Sequence, residues 1–307
     1  MRHVRMRYSG RALGAMVLGV VFGLGAVACG DDGGGESGDG ESITVGAADF
    51  SESNILAQLY GQALAADDFD VTVEESFGTR PVLLDGLEDG SIDMTPEYVG
   101  ALLDELEGPG TATGDTDESV DALNSALADE GLVAFEPSEA QDVDALAVTQ
   151  DTADEFGLET YSDLAEVADE LVLGAPPECA EFPVCLPGLE DTYGIVFEEF
   201  VPLEAGPVTI EALTNGDIDV ARVFSTSPAI VENDLVILED DMGLNPVQNI
   251  IPVATEEFDT DAVADTVNEV SAALTTENLT EMVGQVDIDR EDPADVAQQF
   301  LEDEGII

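Results

Sequence analysis

Residues Leu87-Glu88-Asp89-Gly90-Ser91-Ile92-Asp93-Met94 and Leu213-Thr214-Asn215-Gly216-Asp217-Ile218-Asp219-Val220 share one pattern. Each reads as the end of a helix, a Gly turn and a buried strand. The first runs on into Pro96-Glu97-Tyr98, the second into Phe224-Ser225-Thr226. Two equivalent α/β units would each present loop residues at the C-terminal ends of their strands, where open sheets bind ligands. Chance similarity of short helix–Gly–strand units is the competing reading. It loses ground because both copies end in polar and aromatic residues.

The flanking sequence extends the alternation. Ile43-Thr44-Val45-Gly46 is a short β segment. A helix follows with Ser51 or Ser53 as its cap and Ile55, Leu56, Leu59, Tyr60, Ala63 and Leu64 on one face. Phe69 to Val73 reads as a strand, Leu83, Leu84 and Leu87 as a short helix, and Val120, Leu123 and Leu127 as another. Three helices close the chain: one carries Val263, Val267, Val270 and Leu274, the next is capped at Thr275 or Thr276, and the last at Asp292 with Pro293 in its first turn. Strands alternating with helices predict an α/β fold with substantially parallel sheets. The roughly 265 residues beyond Ser42 suit two lobes better than one domain.

Residues 1–28 read as a secretory leader: Arg2, Arg5, Arg7 and Arg11, an apolar run from Ala12, then Ala26-Val27-Ala28 before Cys29. Small residues followed by Cys resemble a lipobox, with Cys29 lipidated as the mature N-terminus; an uncleaved membrane anchor is the alternative. Residues 29–42 are a Gly-rich acidic tether. The expected location is the extracytoplasmic face of the cell membrane.

Beyond the leader only Arg80, Arg222 and Arg290 are basic, against 69 acids, and the chain has no Lys. Nucleic-acid binding is excluded, because phosphate contacts need basic residues. The apolar content of 44% is periodic, so the acids read as a solvated shell around an ordinary core. Such self-repulsion predicts a protein stabilised by salt. The one His is His3, in the leader. A mature chain with neither His nor Lys cannot run Ser-His-Asp, Cys-His or Schiff-base chemistry and lacks the usual nitrogen ligands for zinc. No catalytic residue, metal or cofactor is assigned. A carboxylate glycosidase is a remote alternative; so many acids make some close pair inevitable, and no Trp is present for sugar stacking. Asp287-x-Asp289-x-Glu291 and Asp115-x-Asp117 resemble calcium-ligand runs but lack the Gly and closing Glu of an EF-hand. Cys179 and Cys185 form an even pair in an oxidising compartment, so a disulfide is expected, a reactive or metal-binding thiol pair being the lesser reading.

Gly46-Ala47-Ala48-Asp49-Phe50-Ser51-Glu52, Gly78-Thr79-Arg80, the run Gly90 to Gly100, Ala140-Gln141-Asp142, Leu186-Pro187-Gly188-Leu189 with Tyr193-Gly194, Phe224-Ser225-Thr226 and Asn249-Ile250-Ile251-Pro252 occur in one order. In that order the chain resembles the substrate-binding lipoproteins of glycine betaine, choline and related osmoprotectant ABC transporters. The resemblance implies a two-lobed type II periplasmic-binding fold with a ligand cleft between the lobes. Residues 43–144 and 245–307 would form one lobe and 145–244 the other. It implies a small quaternary ammonium ligand in an aromatic box, delivered to a permease whose ATPase is a separate subunit, and a monomeric binding protein. Cation–π contacts of ~0.5–2 kcal/mol suit a trimethylammonium group, which cannot donate hydrogen bonds. Diverged specificity for another small amine or amino acid is the alternative.

Carried over by position, the ligand residues are Tyr98, Phe224, Tyr193, Asp49, Thr79, Ser225 and Thr226. Core or hinge roles remain open for Tyr98, Phe224 and Tyr193. The family's Lys near the cleft is Ala48 here, and the Arg expected between the cysteines is Phe182, which is a speculative box wall. The features that grip a carboxylate are thus weakened. Either the ligand is choline-like, or Arg80 or Arg222 anchors a carboxylate, with a structural salt bridge as the competing role for both arginines.

Overall fold

The computed structural model describes residues 42–204 and 206–307. The leader, Cys29 and all but the last residue of the tether lie outside the described residues. No helix among the described residues is long and apolar enough to cross a membrane.

Among the described residues ten strands form two five-stranded sheets. The first contains β1 (Ser42–Ala48), β2 (Asp70–Gly78), β3 (Met94–Tyr98), β4 (Leu132–Ala134) and β10 (Ile250–Thr255), in the order β2-β1-β3-β10-β4. The second contains β5 (Asp144–Thr149), β6 (Val172–Ala175), β7 (Glu199–Pro202), β8 (Val220–Phe224) and β9 (Leu235–Ile237), in the order β7-β6-β8-β5-β9. The sheets are topological copies, with β1, β2, β3 matching β6, β7, β8. They are mixed rather than mainly parallel: β10 runs antiparallel to β3, and β5 antiparallel to β8. Both are strands by which the chain enters a lobe from the other one, so they run against the βαβ units already there. An antiparallel bridge between Gln141 and Asn249 ties the two crossing segments together.

The repeated sequence motif explains how each sheet is locked. After the helix Arg80–Asp89, Gly90 turns the chain at φ 75°, and Gly216 does the same after the helix Pro207–Asn215, also at φ 75°. Glycine has no Cβ penalty there. Ile92 and Ile218 are then buried, and the acid after each returns to the equivalent parallel strand of its sheet, β1 in the first and β6 in the second. Asp93 Oδ2 accepts from Thr44 N at 2.7 Å, and Asp219 Oδ2 from Val172 N at 2.8 Å.

The helix Ser51–Ala66 packs on the first sheet, its residues Ile55, Leu56, Leu59, Tyr60 and Leu64 fully buried with Val263, Val267 and Val270 of the helix Asp261–Ala273 and with Leu274, which follows it. Neither Ser51 nor Ser53 caps it. Phe50 occupies the cap position without a side-chain bond, and the Ser53 hydroxyl accepts from Ala48 N at 2.7 Å. Thr275 and Asp292 do cap the last two helices, accepting from Asn278 N and Ala294 N. The second lobe packs Leu146, Val148, Leu173, Tyr161 and Leu189 around Cys179 and Cys185, whose sulfurs touch with their Cα atoms 5.2 Å apart.

Candidate functional site

The crossing segments bring the ends of β3 and β8 to a common opening. Tyr98 and Phe224 are the last residues of these equivalent strands, paired with Ile250 and Asp144 of the antiparallel entering strands. Three adjoining depressions, of about 360, 490 and 430 Å³, lie at this opening; Phe224 lines two of them, whereas Tyr98 is buried and lines none. Phe224 is shared by the first two, Asp142 by the last two, and Asp144 and Phe182 by the first and third. Together they make one open cleft around the crossings.

Exposed aromatic surface concentrates here. Phe50 is 45% exposed, Phe182 43% and Phe224 51%, and all three line the cleft. A rigid apolar ring held in water is a cost that an ordinary surface position does not carry, and its clustering marks a binding site. Phe50 and Glu52 come from the start of the helix Ser51–Ala66, where the missing serine cap leaves the phenylalanine at the entrance. The Phe50 ring lies over Tyr98 with centroids 6.4 Å apart and planes at 28°. Tyr98 itself is buried, and its hydroxyl donates to Glu52 Oε1 at 2.6 Å. Burial and the adjacent Glu52 charge push the phenol well above its ordinary range.

The carboxylates of the cleft sit in an unusual environment. Glu52 is only 5% exposed, and burial, with Asp142 adding repulsion, raises its carboxyl to about 7. Asp142, on the first crossing, accepts from Thr226 Oγ1 at 2.9 Å and is raised by burial to about 6. No basic side chain figures among the groups that bear on Glu52.

Both candidate anchor arginines are engaged, and only Arg222 lines the cleft. Arg80 Nε donates to Glu97 Oε1 and Oε2 at 3.0 and 2.9 Å, and Glu97 is buried. Arg222 donates to Asp144, and its guanidinium lies 5.5 Å from the Phe182 ring centroid. One face of Phe182 is therefore already occupied by a cation.

The remaining sequence-derived residues divide clearly. The Ser225 hydroxyl accepts from Val143 N at 2.9 Å and donates to Gln141 O at 3.0 Å, pinning β8 to the first crossing. Thr226 lines the cleft beside Phe224. Tyr193 lies in the second lobe, edge-on to Tyr161 at 5.4 Å, its hydroxyl donating to Asp240 and accepting from Met242 N. Asp49 and Thr79 are exposed at the ends of β1 and β2. Tyr193, Asp49 and Thr79 line none of the three depressions. Sequence reasoning did not single out Phe50, Glu52 or Asp142 as site residues. The linear signal for Phe50 and Glu52 is their place in the stretch Gly46–Glu52 that carries the family resemblance.

A family model described as the substrate binding domain of ABC-type glycine betaine transport systems matches residues 41–303. The chain is 27% identical to a glycine-betaine-binding protein of Pseudomonas aeruginosa over 286 residues, 87% of this chain and 89% of that protein. It is 26% identical to a carnitine transport binding protein, OpuCC, of Listeria monocytogenes over 270 residues, 85% of this chain and 86% of that protein. Its fold resembles that of a crystal structure of a glycine betaine/carnitine/choline ABC transporter, with a TM-score of 0.80 at 24% identity, covering 86% of this chain and 99% of that one. The apo structure of YehZ from Escherichia coli gives 0.77 at 22% identity, covering 88% and 100%.

Proposed function

The chain belongs to the family of substrate-binding domains of ABC-type glycine betaine transport systems, and from that premise we propose that it is the solute-binding component of an ABC importer, capturing a small quaternary ammonium compound between its lobes and handing it to a permease. The observation that carries this reading is the convergence of Phe50, Phe182 and Phe224, all exposed, on the adjoining depressions of one cleft, with Tyr98 buried beneath Phe50. A quaternary ammonium group offers no hydrogen bonds, so π faces and carboxylates are the groups that recognise it. The lobes, taken as residues 43–144 with 245–307 and 145–244, would close over the ligand by bending at the two crossings.

Phe50 and Phe224 form the exposed walls of the box in this reading, and Tyr98, buried beneath Phe50, is its floor. Thr226 and Ser225 hold the rim. Arg80 and Arg222, the candidate anchors for a ligand carboxylate, would have to leave Glu97 and Asp144 to serve. Tyr193, Asp49 and Thr79 would reach the ligand only if closure reshapes the rim. The same reading places the protein on the extracytoplasmic face of the membrane, lipidated at Cys29, with Cys179 and Cys185 joined as a disulfide that pins the loop carrying Phe182. The Cα separation of 5.2 Å suits that bond.

Replacing Phe224 by Ala should weaken binding of the preferred quaternary ammonium ligand by roughly tenfold or more, and the Phe50→Ala, Phe224→Ala pair by more than either alone. Isothermal titration reads both. Unchanged affinity in the double variant, with an unchanged circular dichroism spectrum, would remove the aromatic box.

A further inference from the structure

Charge along the cleft is one-sided. Glu52, Asp104, Asp142, Asp144, Glu178 and Asp287 line the three depressions, against the single guanidinium of Arg222. Arg222 is already held by Asp144 and laid over Phe182. Arg80 is held by Glu97. A zwitterion brought into this cleft would set its own carboxylate among acids with no unpaired cation to meet it. Its ammonium end, by contrast, finds the exposed rings of Phe50 and Phe224 and, in the same depression, the Glu52 carboxyl, which is tied to the buried Tyr98 hydroxyl beneath Phe50.

We propose that Glu52, with Asp142 beside it, sets the charge class of the ligand: the cleft selects a small quaternary ammonium compound of net positive charge that lacks a carboxylate, in preference to a zwitterionic betaine. The inference rests on the cleft being the ligand site, as argued above. Glu52 is well placed for this role. It is almost wholly buried, and it touches the box through Tyr98. The groups facing it are Tyr98 from β3, Asp142 and Thr226 from the region of the first crossing, and Asp287 from the helix Thr276–Asp287; Asp144 in turn faces Asp142. None of them is a cation, so the missing counter-charge is the one a ligand would bring.

A consequence follows for protons. In the empty cleft burial and mutual repulsion leave the Glu52–Asp142 pair partly protonated around neutral pH. A bound ammonium group favours the charged forms and expels a proton. Affinity for a cationic ligand therefore rises with pH through the window of about 6 to 7, and binding releases protons.

Calorimetric titration of the purified protein with choline and with glycine betaine, at about pH 5.5 and about pH 8 in buffers of different ionisation enthalpy, tests this. Choline should bind at least tenfold more tightly than glycine betaine, gain on the order of tenfold affinity between the two pH values, and release protons. Glu52→Gln keeps an acceptor for the Tyr98 hydroxyl but removes the charge; it should weaken choline by about tenfold, flatten its pH dependence and leave glycine betaine little changed. Asp142→Asn should act in the same direction, and it serves if Glu52→Gln fails to fold by circular dichroism. Glycine betaine binding as tightly as choline, or native choline affinity and pH slope in both variants, overturns the inference and leaves the osmoprotectant reading standing. No binding of choline, glycine betaine, carnitine or proline overturns both.

Discussion

Glu52 is the residue on which stability and function meet. Its folded-state carboxyl is raised above the unfolded value, so the native state holds a proton more tightly than the unfolded chain does. The contribution of such a group is favourable at low pH and is lost as pH rises from about 4.5 to about 7, the reverse of a salt-bridged carboxylate. Glu52→Gln should therefore match the native unfolding free energy near pH 4 and exceed it near pH 8 by on the order of 1–3 kcal/mol, with the melting temperature following. Thermal melts at the two pH values check it; equal effects at both would contradict the burial argument. Residues of this kind were the hardest to read from the sequence. Glu52 meets Asp142 and Tyr98 only because helix, strand and crossing converge in space. Among 69 acids only its place in the stretch Gly46–Glu52 distinguishes it. Tyr98 and Phe224 were legible because each follows a helix–Gly–strand motif, whereas the engagement of Arg222 by Asp144 and Phe182 depends on strand pairing and loop placement.

At the level of elements, the repeated motif carried most of the fold. The helix, the left-handed glycine, the buried isoleucine and the aspartate that returns to the equivalent parallel strand occur in both lobes, and they put Tyr98 and Phe224 at matching strand ends. Periodicity found the helices but not the reversed direction of β5 and β10, because strand direction is set by where the chain enters the sheet. Glycines show where elements approach most closely. A Cβ at Gly100 would lie 2.4 Å from the Val247 carbonyl oxygen on the second crossing. At Gly174 it would lie 2.3 Å from Ile218 Cδ1, the movable end of a side chain. Gly100→Ala should thus cost about 1–3 kcal/mol in denaturant unfolding and Gly174→Ala less, since backbone yields less readily than a methyl group. The reverse order would contradict the role given to Gly100 in seating the crossing.

Across the whole molecule the excess of acids dominates. Three basic residues beyond the leader face 69 acids, and the two ion pairs among the described residues hold two of the three. Screening length falls from about 10 Å at 0.1 M salt to about 3 Å at 1 M, so the melting temperature should climb over that range and the unfolding midpoint with it. A flat response would mean that the acids are compensated in a way the ion pairs do not reveal. The same field draws cations toward the cleft, which couples solubility to ligand choice. The central claim is that this cleft recognises a quaternary ammonium group by its charge and its π contacts. The most direct measurement is a calorimetric titration in molar salt with choline and, separately, with its neutral tert-butyl isostere. A single saturable site for choline, with no detectable binding of the isostere, is the expected result. Equal binding of the two would show that shape alone fills the cleft, and would contradict the account.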